Sequence, residues 1–367
     1  MFHRLFNHLK KIDWIIFGSV ILLIGFGLAV IYSVALGSGE ASLINFKKQC
    51  VFAGVGLLLL FLFSFFDFHL LYSLNGWIYI GGMVLLILVL IFGETVRGTR
   101  AWFEFAGFSL QPSEFIKIVT LLALAKYFSS ASYKINQMKH ILYTGLIVGL
   151  PIVLILFQPD FGSAMIIFVF WLAILGIFGL NRRQIIIISS IALLLFVLSF
   201  FFLLKGYQRE RVTTFLNPSV GSLDQSYNVA QAIIAVGSGG MFGRGLGFGS
   251  QSQLKFLPES QTDFIFAVIG EELGFLGVTL LLGFFAVLFF RLIHWVKNLN
   301  NNFAIYIILG AIILLFVQMF INISMNIGLL PVVGIPLPLV SSGGSSLIAT
   351  MILIGIVESA IVHARHS

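Results

Sequence analysis

The stretch WIIFGSVILLIGFGLAVIYSVAL, residues 14–36, decides the fold: 23 residues with no charged side chain. At about 1.5 Å of rise per residue a helix of that length crosses the roughly 30 Å hydrocarbon core of a bilayer. It is too long for the apolar region of a signal peptide, and a second apolar stretch follows closely. Nine further stretches of the same kind lie near 50–66, 77–92, 113–129, 141–157, 161–180, 185–204, 264–290, 303–323 and 345–362. The sequence therefore predicts an all-α integral membrane protein, a ten-transmembrane-helix bundle forming a single polytopic domain over 1–367. Composition agrees, with 59% hydrophobic and 10% charged residues against roughly 25% charged in an ordinary soluble domain. A mean hydropathy of +1.07 over 40.6 kDa leaves too little polar surface to wet a soluble globule. The lone cysteine, Cys50, excludes an intrachain disulfide and a Cys-based metal site.

Lysine and arginine in the short connections set the orientation. An even number of spans places both termini on one side, which collects Arg4, Lys10, Lys11, Lys134, Lys139, Arg182, Arg183, Arg291, Lys297 and Arg365. The opposite short loops hold Lys47, Lys48, Arg97 and Arg100. The termini are thus expected in the cytoplasm. The outer face then owns the 93–112 loop, the Gln158-Pro159-Asp160 corner, a large extracytoplasmic loop over 205–263 between the seventh and eighth spans, and 324–344. The long loop carries Tyr207, Phe215, Ile233, Ile234, Phe242 and Phe248 among many glycines, which predicts short interfacial helices joined by glycine turns. The net charge of +7 fits attraction to anionic head groups or phosphate-bearing substrates. Because the basic residues are scattered among spans, nucleic acid is not expected as a partner.

Ionisable groups at outward helix starts are the candidate chemistry. Glu114 follows Gln111-Pro112-Ser113, Asp160 precedes the sixth span, and Asp263 opens the eighth. Each could simply cap its helix, because acids and serines satisfy first-turn amides. Glu114 and Lys117 share a helical face and can pair inside the bilayer, as structure or as function. Arg97, Arg100, Arg209, Arg211, Arg244 and Lys255 give this face a cationic character. The turn PLPLVSSGGSS, 336–346, with Ser342 and Ser345, is either an anion cradle of amides and hydroxyls at a helix N-terminus or a turn whose serines satisfy their own backbone.

The run GSGGMFGRGLG, 237–247, follows no strand and opens no long soluble helix, so it does not read as a nucleotide-binding loop. Amides beside Arg244 could still hold a phosphate, or the run could be a hinge on the membrane. Glu271 and Glu272, two turns into the eighth span, either face a wet cavity or pack against Lys or Arg. All seven histidines map to the cytoplasmic side or its interface, so a proton acceptor on the outer face must be a carboxylate.

The segments RGTRAWFEFAGFSLQPSEFIKI (97–118), QPDFGSAM (158–165), 211–277 and NIGLLPVVGIPLPLVSSGGSS (326–346) resemble the SEDS family of bacterial cell-wall polymerases, the RodA/FtsW/SpoVE group. The run at 251–259 looks more RodA-like than FtsW-like. One departure is that the family commonly has His in the Pro-Glu-x-His-Thr-Asp motif where this chain has Gln261; Asp263 is kept.

The resemblance implies an extracytoplasmic glycosyltransferase of the bacterial inner membrane. It would join lipid II units into glycan strands with release of polyprenyl pyrophosphate, beside a class B penicillin-binding protein. On that reading Asp263 is the catalytic base, or the ligand of a divalent cation, Mg2+ or Mn2+, with no organic cofactor. Arg100, Lys117, Arg211 and Lys255 would stabilise the diphosphate, Glu114 would orient Lys117, Asp160 would shape the cavity, and Ser342 and Ser345 would line it. A lipid II flippase, or a non-catalytic scaffold of the division or elongation machinery in which Asp263 merely caps a helix, stays open.

Overall fold

The computed structural model describes residues 11–38, 40–96, 98–105, 108–130, 138–177, 181–198, 206–216 and 223–364. Arg97, Lys134, the ends of the sixth and seventh predicted spans, and the basic and histidine residues before 11 and after 364 lie outside the described residues. The chain divides into two compact units, Met1–Phe68 with Gly221–Ser367, and His69–Val220. Among the described residues, seven helices are long and apolar enough to cross a membrane. The fold is thus that of a multi-pass, mostly helical membrane protein.

The first unit contains α1 (Trp14–Ser38) and α2 (Glu40–Phe65). α2 starts at Glu40, ahead of the predicted 50, so Lys47 and Lys48 are helical residues and not a loop. From the second unit come α3 (Phe68–Ser73), α4 (Asn75–Phe92), β1 (Glu94–Val96), β2 (Thr99–Phe105), β3 (Phe108–Leu110), α5 (Pro112–Ser130), α6 (Met138–Phe157), α7 (Phe161–Ile177), α8 (Arg182–Leu198) and α9 (Gly206–Leu216), with Phe68 the last residue of the first. The first unit resumes with α10 (Leu223–Ser238), α11 (Ser250–Gln253), α12 (Ile265–Asn298), α13 (Asn302–Asn326) and α14 (Gly344–Ala364).

Two departures from the sequence reading are local. The all-α expectation gives way to a three-stranded antiparallel sheet in the order β1-β2-β3. Thr95, Val96, Thr99 and Trp102 suit a pleated surface, and Gly98 supplies the positive φ of 82° that turns the chain between Val96 and Thr99. The connection between the predicted spans at 50–66 and 77–92 holds the short α3.

Glycines set the packing of the first unit. α14 lies against α2, where a Cβ on Gly355 would meet Leu60 O at 2.6 Å and one on Gly344 would meet the Phe52 ring at 2.5 Å. Small residues let the two backbones approach, the usual device where lipid supplies no hydrophobic drive between helices. In α12 the helix is interrupted at Gly274, with φ 63° and ψ −159°.

The interruption is filled by the 239–245 glycine run. Phe275 N–H donates to Gly240 O (2.9 Å) and Leu276 N–H to Met241 O (3.1 Å), while Arg244 and Gly245 N–H donate to Glu271 O and Glu272 O (3.0 and 2.9 Å). Backbone groups freed by the break thus regain partners, as they must where water is excluded. The Arg244-side amides predicted as a phosphate cradle are therefore already engaged. A Cβ on Gly243 would stand 2.2 Å from Glu272 O, whereas Gly240, also at positive φ, has nothing within 4 Å. Gly243→Ala is expected to destabilise the protein by at least about 2 kcal/mol, against about 1 kcal/mol for Gly240→Ala, whose cost is backbone strain alone. Thermal unfolding of the two variants in detergent measures the difference.

The second unit centres on α5, most of which is buried even though it carries Glu114, Lys117 and Lys126. Gly82 of α4 faces Ile116 and Val119 of α5. Pro151 sits inside α6, and its missing N–H deprives Ile147 O of a helical donor. The Tyr79 hydroxyl of α4 donates there instead, at 2.8 Å. Thr144 accepts from Trp171 Nε1 at 3.1 Å and ties α6 to α7.

Candidate active site

In the second unit, Lys117 Nζ lies 2.7 Å from Glu114 Oε1, both side chains almost wholly buried in the first two turns of α5. Pro112 starts that helix and needs no amide partner, and Glu114 stands at its positive end. Asp160 caps α7 as its sequence position predicts, accepting from Ser163 N–H through Oδ1 at 3.0 Å. Its Oδ2 accepts from Gln111 Nε2 (3.0 Å) and Ser113 Oγ (3.2 Å), which joins the start of α5 to the start of α7. The structure thus brings Glu114, Lys117 and Asp160 to one end of neighbouring helices. Gln158 Oε1 is buried there without a hydrogen-bond partner among the described residues.

Arg100 is held differently from the predicted diphosphate clamp. Its Nε donates to Gly93 O (2.9 Å) and its Nη2 to Ile91 O (2.8 Å), so two of its five N–H groups close the C-terminal end of α4. It retains a full positive charge but not a free guanidinium fork. Arg211 is half-buried on α9.

In the first unit, Asp263 is part-exposed in the turn before α12. The N-cap of α12 is Phe264, with no side-chain cap bond. Capping by Asp263 is one of the readings the sequence leaves open; in the structure the first-turn amide of Ala267 donates to Asn326 Oδ1 at 3.1 Å. The backbone carbonyl of Asp263 accepts from Asn322 Nδ2 (3.0 Å) and Asn326 Nδ2 (2.9 Å). Ser341 Oγ donates to Thr262 O (2.6 Å) and Ser342 N–H to Gln261 O (2.8 Å). The segment bearing Asp263 is therefore pinned through its main chain from α13 and from the 336–346 turn.

The turn is less open than a free anion cradle. Ser341 N–H donates to Leu337 O, Ser342 N–H to Gln261 O and Gly343 N–H to Gln49 Oε1. Ser342 is half-buried and Ser345 buried in the first turn of α14. Lys255 is exposed on a turn with φ 60°. Gln261, standing where the family commonly has His, has a buried Nε2 with no hydrogen-bond partner among the described residues.

Glu271 and Glu272 are fully buried, and among the described residues their hydrogen-bond partners are backbone amides and neutral side chains, not the Lys or Arg that was one of the two alternatives. Glu271 accepts from Gln251 N–H (2.8 Å) and Ser252 N–H (3.1 Å), and Glu272 from Ser33 Oγ (2.6 Å) and Gln253 Nε2 (3.1 Å). Glu271 satisfies first-turn amides of α11, as an anion at a helix N-terminus does, while Glu272 accepts from the side chains of Ser33, Ser252 and Gln253. Asn322 and Asn326 escaped the sequence reading. With Gln318 they recur every four residues on one face of an otherwise apolar span, a spacing that could have revealed them.

Seven membrane-length helices, with a buried ion pair, carboxylates and amides at helix ends, define a polytopic membrane protein. The sequence model of the FtsW/RodA/SpoVE family, described as "Cell cycle protein", matches residues 13–366, and the chain belongs to that family. It is 37% identical over 294 residues to the peptidoglycan glycosyltransferase MrdB of Escherichia coli K12, covering 79% of each chain. It is 34% identical over 355 residues to the stage V sporulation protein E of Bacillus subtilis, covering 94% of this chain and 96% of that one. The probable peptidoglycan glycosyltransferase FtsW of Coxiella burnetii is 36% identical over 322 residues, with 85% of each covered.

Among solved structures, one described as "Structural coordination of polymerization and crosslinking by a peptidoglycan synthase complex" matches with a TM-score of 0.80 at 30% identity, over 97% of this chain and 99% of that one. The rod shape determining protein RodA of Thermus thermophilus matches with a TM-score of 0.72 at 28% identity, over 97% and 98%.

Proposed function

We propose that this chain is a peptidoglycan glycosyltransferase that polymerises lipid II on the outer face of the bacterial inner membrane, in cell elongation. Ten spans with both termini cytoplasmic put Glu114, Asp160 and Asp263 on that face, the three short or charged helices α5, α7 and α8 completing the count. The observation that carries the reading is the anchoring of the segment that bears Asp263: the Asp263 carbonyl accepts from Asn322 and Asn326, the Thr262 carbonyl from Ser341 Oγ and the Gln261 carbonyl from Ser342 N–H. A part-exposed carboxylate on a backbone so held suits a reacting group.

In the reaction a sugar hydroxyl of the acceptor attacks the anomeric carbon of the donor. The bond from that carbon to the lipid pyrophosphate breaks, and the hydroxyl proton passes to Asp263. The pyrophosphate leaves as an anion and needs no proton. Lys117, Arg211 and Lys255 stabilise its charge, Arg100 of β2 adds positive field from its place at the end of α4, and Glu114 sets the Lys117 ammonium. Asp160 fixes the corner between α5 and α7, and Ser342 and Ser345 line the turn against Asp263. No group of three or more His, Cys, Asp and Glu side chains that could hold a metal ion lies among the described residues. Asp263 is the residue that would hold Mg2+ or Mn2+, which would supply positive charge to the leaving diphosphate.

A class B penicillin-binding protein is the proposed partner, in line with the synthase complex whose title couples polymerization to crosslinking. The test is purified full-length protein with lipid II and MgCl2 or MnCl2, scored for glycan polymer on a gel. Polymer that vanishes with chelator is expected. Lipid II crossing vesicle membranes without polymer would overturn the reading in favour of a transporter.

A further inference from the structure

A cavity of about 480 Å³ opens in the second unit between the start of α4, the end of α5 and the start of α6, at the opposite end of α5 from Glu114. Its walls are mainly apolar, and its polar groups are Asn75, Lys126, Tyr127, Ser130 and His140, with Tyr79 deeper. None takes part in the chemistry proposed for Asp263. Asn75 is only 6% exposed, and its Nδ2 has no hydrogen-bond partner among the described residues. A buried amide donor without an acceptor costs on the order of 1–3 kcal/mol, a cost that a ligand bearing acceptor oxygens removes.

Other groups around the opening are donors or are poised to be. Lys126 Nζ lies 4.9 Å from the centre of the Tyr72 ring, so its ammonium is steered by an aromatic face, and no carboxylate among the described residues forms a salt bridge with it. Tyr72 OH and Ser130 Oγ are 3.1 Å apart. His140 Nδ1 is 2.7 Å from Tyr127 OH, which orients the ring and leaves its second nitrogen for another partner.

The surroundings mark the height of the cavity in the bilayer. Trp77 (75% exposed) and Tyr143 (59% exposed) stand on the outer surfaces of α4 and α6 beside it, and such exposed aromatic side chains settle at head-group level. Cationic and neutral donors over an apolar pocket at that level match a phosphodiester with acyl chains attached, the arrangement by which basic pockets between membrane helices take anionic head groups.

We propose that the α4–α5–α6 cavity binds the phosphate of an anionic phospholipid, with Lys126, Asn75 and His140 as donors. The test uses the full-length protein in nanodiscs of phosphatidylcholine with 20% phosphatidylglycerol, bound lipid being counted by native mass spectrometry after detergent exchange. Lys126→Gln and Asn75→Leu are each expected to lower retained phosphatidylglycerol by about five-fold or more, with helical content unchanged by circular dichroism. Lys139→Gln removes an equal charge from an exposed neighbouring site and is expected to leave retention as it was. Millimolar inorganic phosphate that displaces the lipid would assign the site to the phosphate group alone; lack of displacement would assign it to head group and chains together. Equal loss in Lys139→Gln and Lys126→Gln, or retention unchanged in both Lys126→Gln and Asn75→Leu, would overturn the proposal. If Lys126→Gln misfolds, Asn75→Leu decides alone.

Discussion

Asp263→Asn is expected to lower the polymerisation rate by at least about 100-fold, with lipid II binding and thermal stability near those of the parent. General-base catalysis is worth roughly 10² to 10⁴ in rate, and an amide can neither take the hydroxyl proton nor bind a divalent ion well. The substitution is nearly isosteric. The Ala267 amide of α12 keeps its acceptor, Asn326 Oδ1, in the variant. A stability change under about 1 kcal/mol together with lost activity therefore separates chemistry from architecture. If Asp263→Asn polymerises normally, the proposed base is wrong, and if it unfolds, the side chain is structural. Asp263→Glu then divides the two chemical roles. Its longer arm moves the carboxylate by about one bond, which a metal site supplied with fresh MnCl2 tolerates better than a proton transfer that needs hydrogen-bond reach.

The second large effect is expected at Lys117. Lys117→Met leaves the Glu114 carboxylate buried in α5 without its cation, and breaking one side of such a pair typically costs about 3–5 kcal/mol. The double variant Glu114→Gln with Lys117→Met removes both charges together and is expected to recover most of that stability, since apolar or neutral replacements of a buried pair are often close to neutral. Polymer formation is expected to stay at least about ten-fold down in the double variant, because the diphosphate has lost a cation. Recovery of both stability and polymer would make the pair an architectural element and nothing more. Thermal unfolding and the gel assay on the same three preparations give the comparison.

Spans and helix starts were legible because their signals are local. Apolar length marks a bilayer segment whatever it packs against, and Asp160 reveals its capping role through Ser163 three residues on. The Glu114–Lys117 pair is one turn of one helix, so spacing alone brings its charges together. Relations across the chain were not legible. The glycine run at 239–245 has its partners at 270–276, and nothing near Gly243 says that a carbonyl from α12 will lie where its side chain would go. The same holds for Asp263: its position just before an apolar span is plain, but the side chains that hold its carbonyl, Asn322 and Asn326, lie far along the chain. The β-strands were missed because two of them have only three residues, too few for alternation to register.

The close fit of α14 against α2 also bears on how the protein is made. α14 has 83% of its apolar window covered, whereas α2 has 28%. The face of α2 that receives Gly344 and Gly355 is synthesised long before those glycines exist. Until α14 is inserted, that face has only lipid or passing neighbours to cover it, and pairings of such long sequence separation form late. An insertion factor that shields α2 in the meantime would raise the yield of assembled protein without touching the finished molecule.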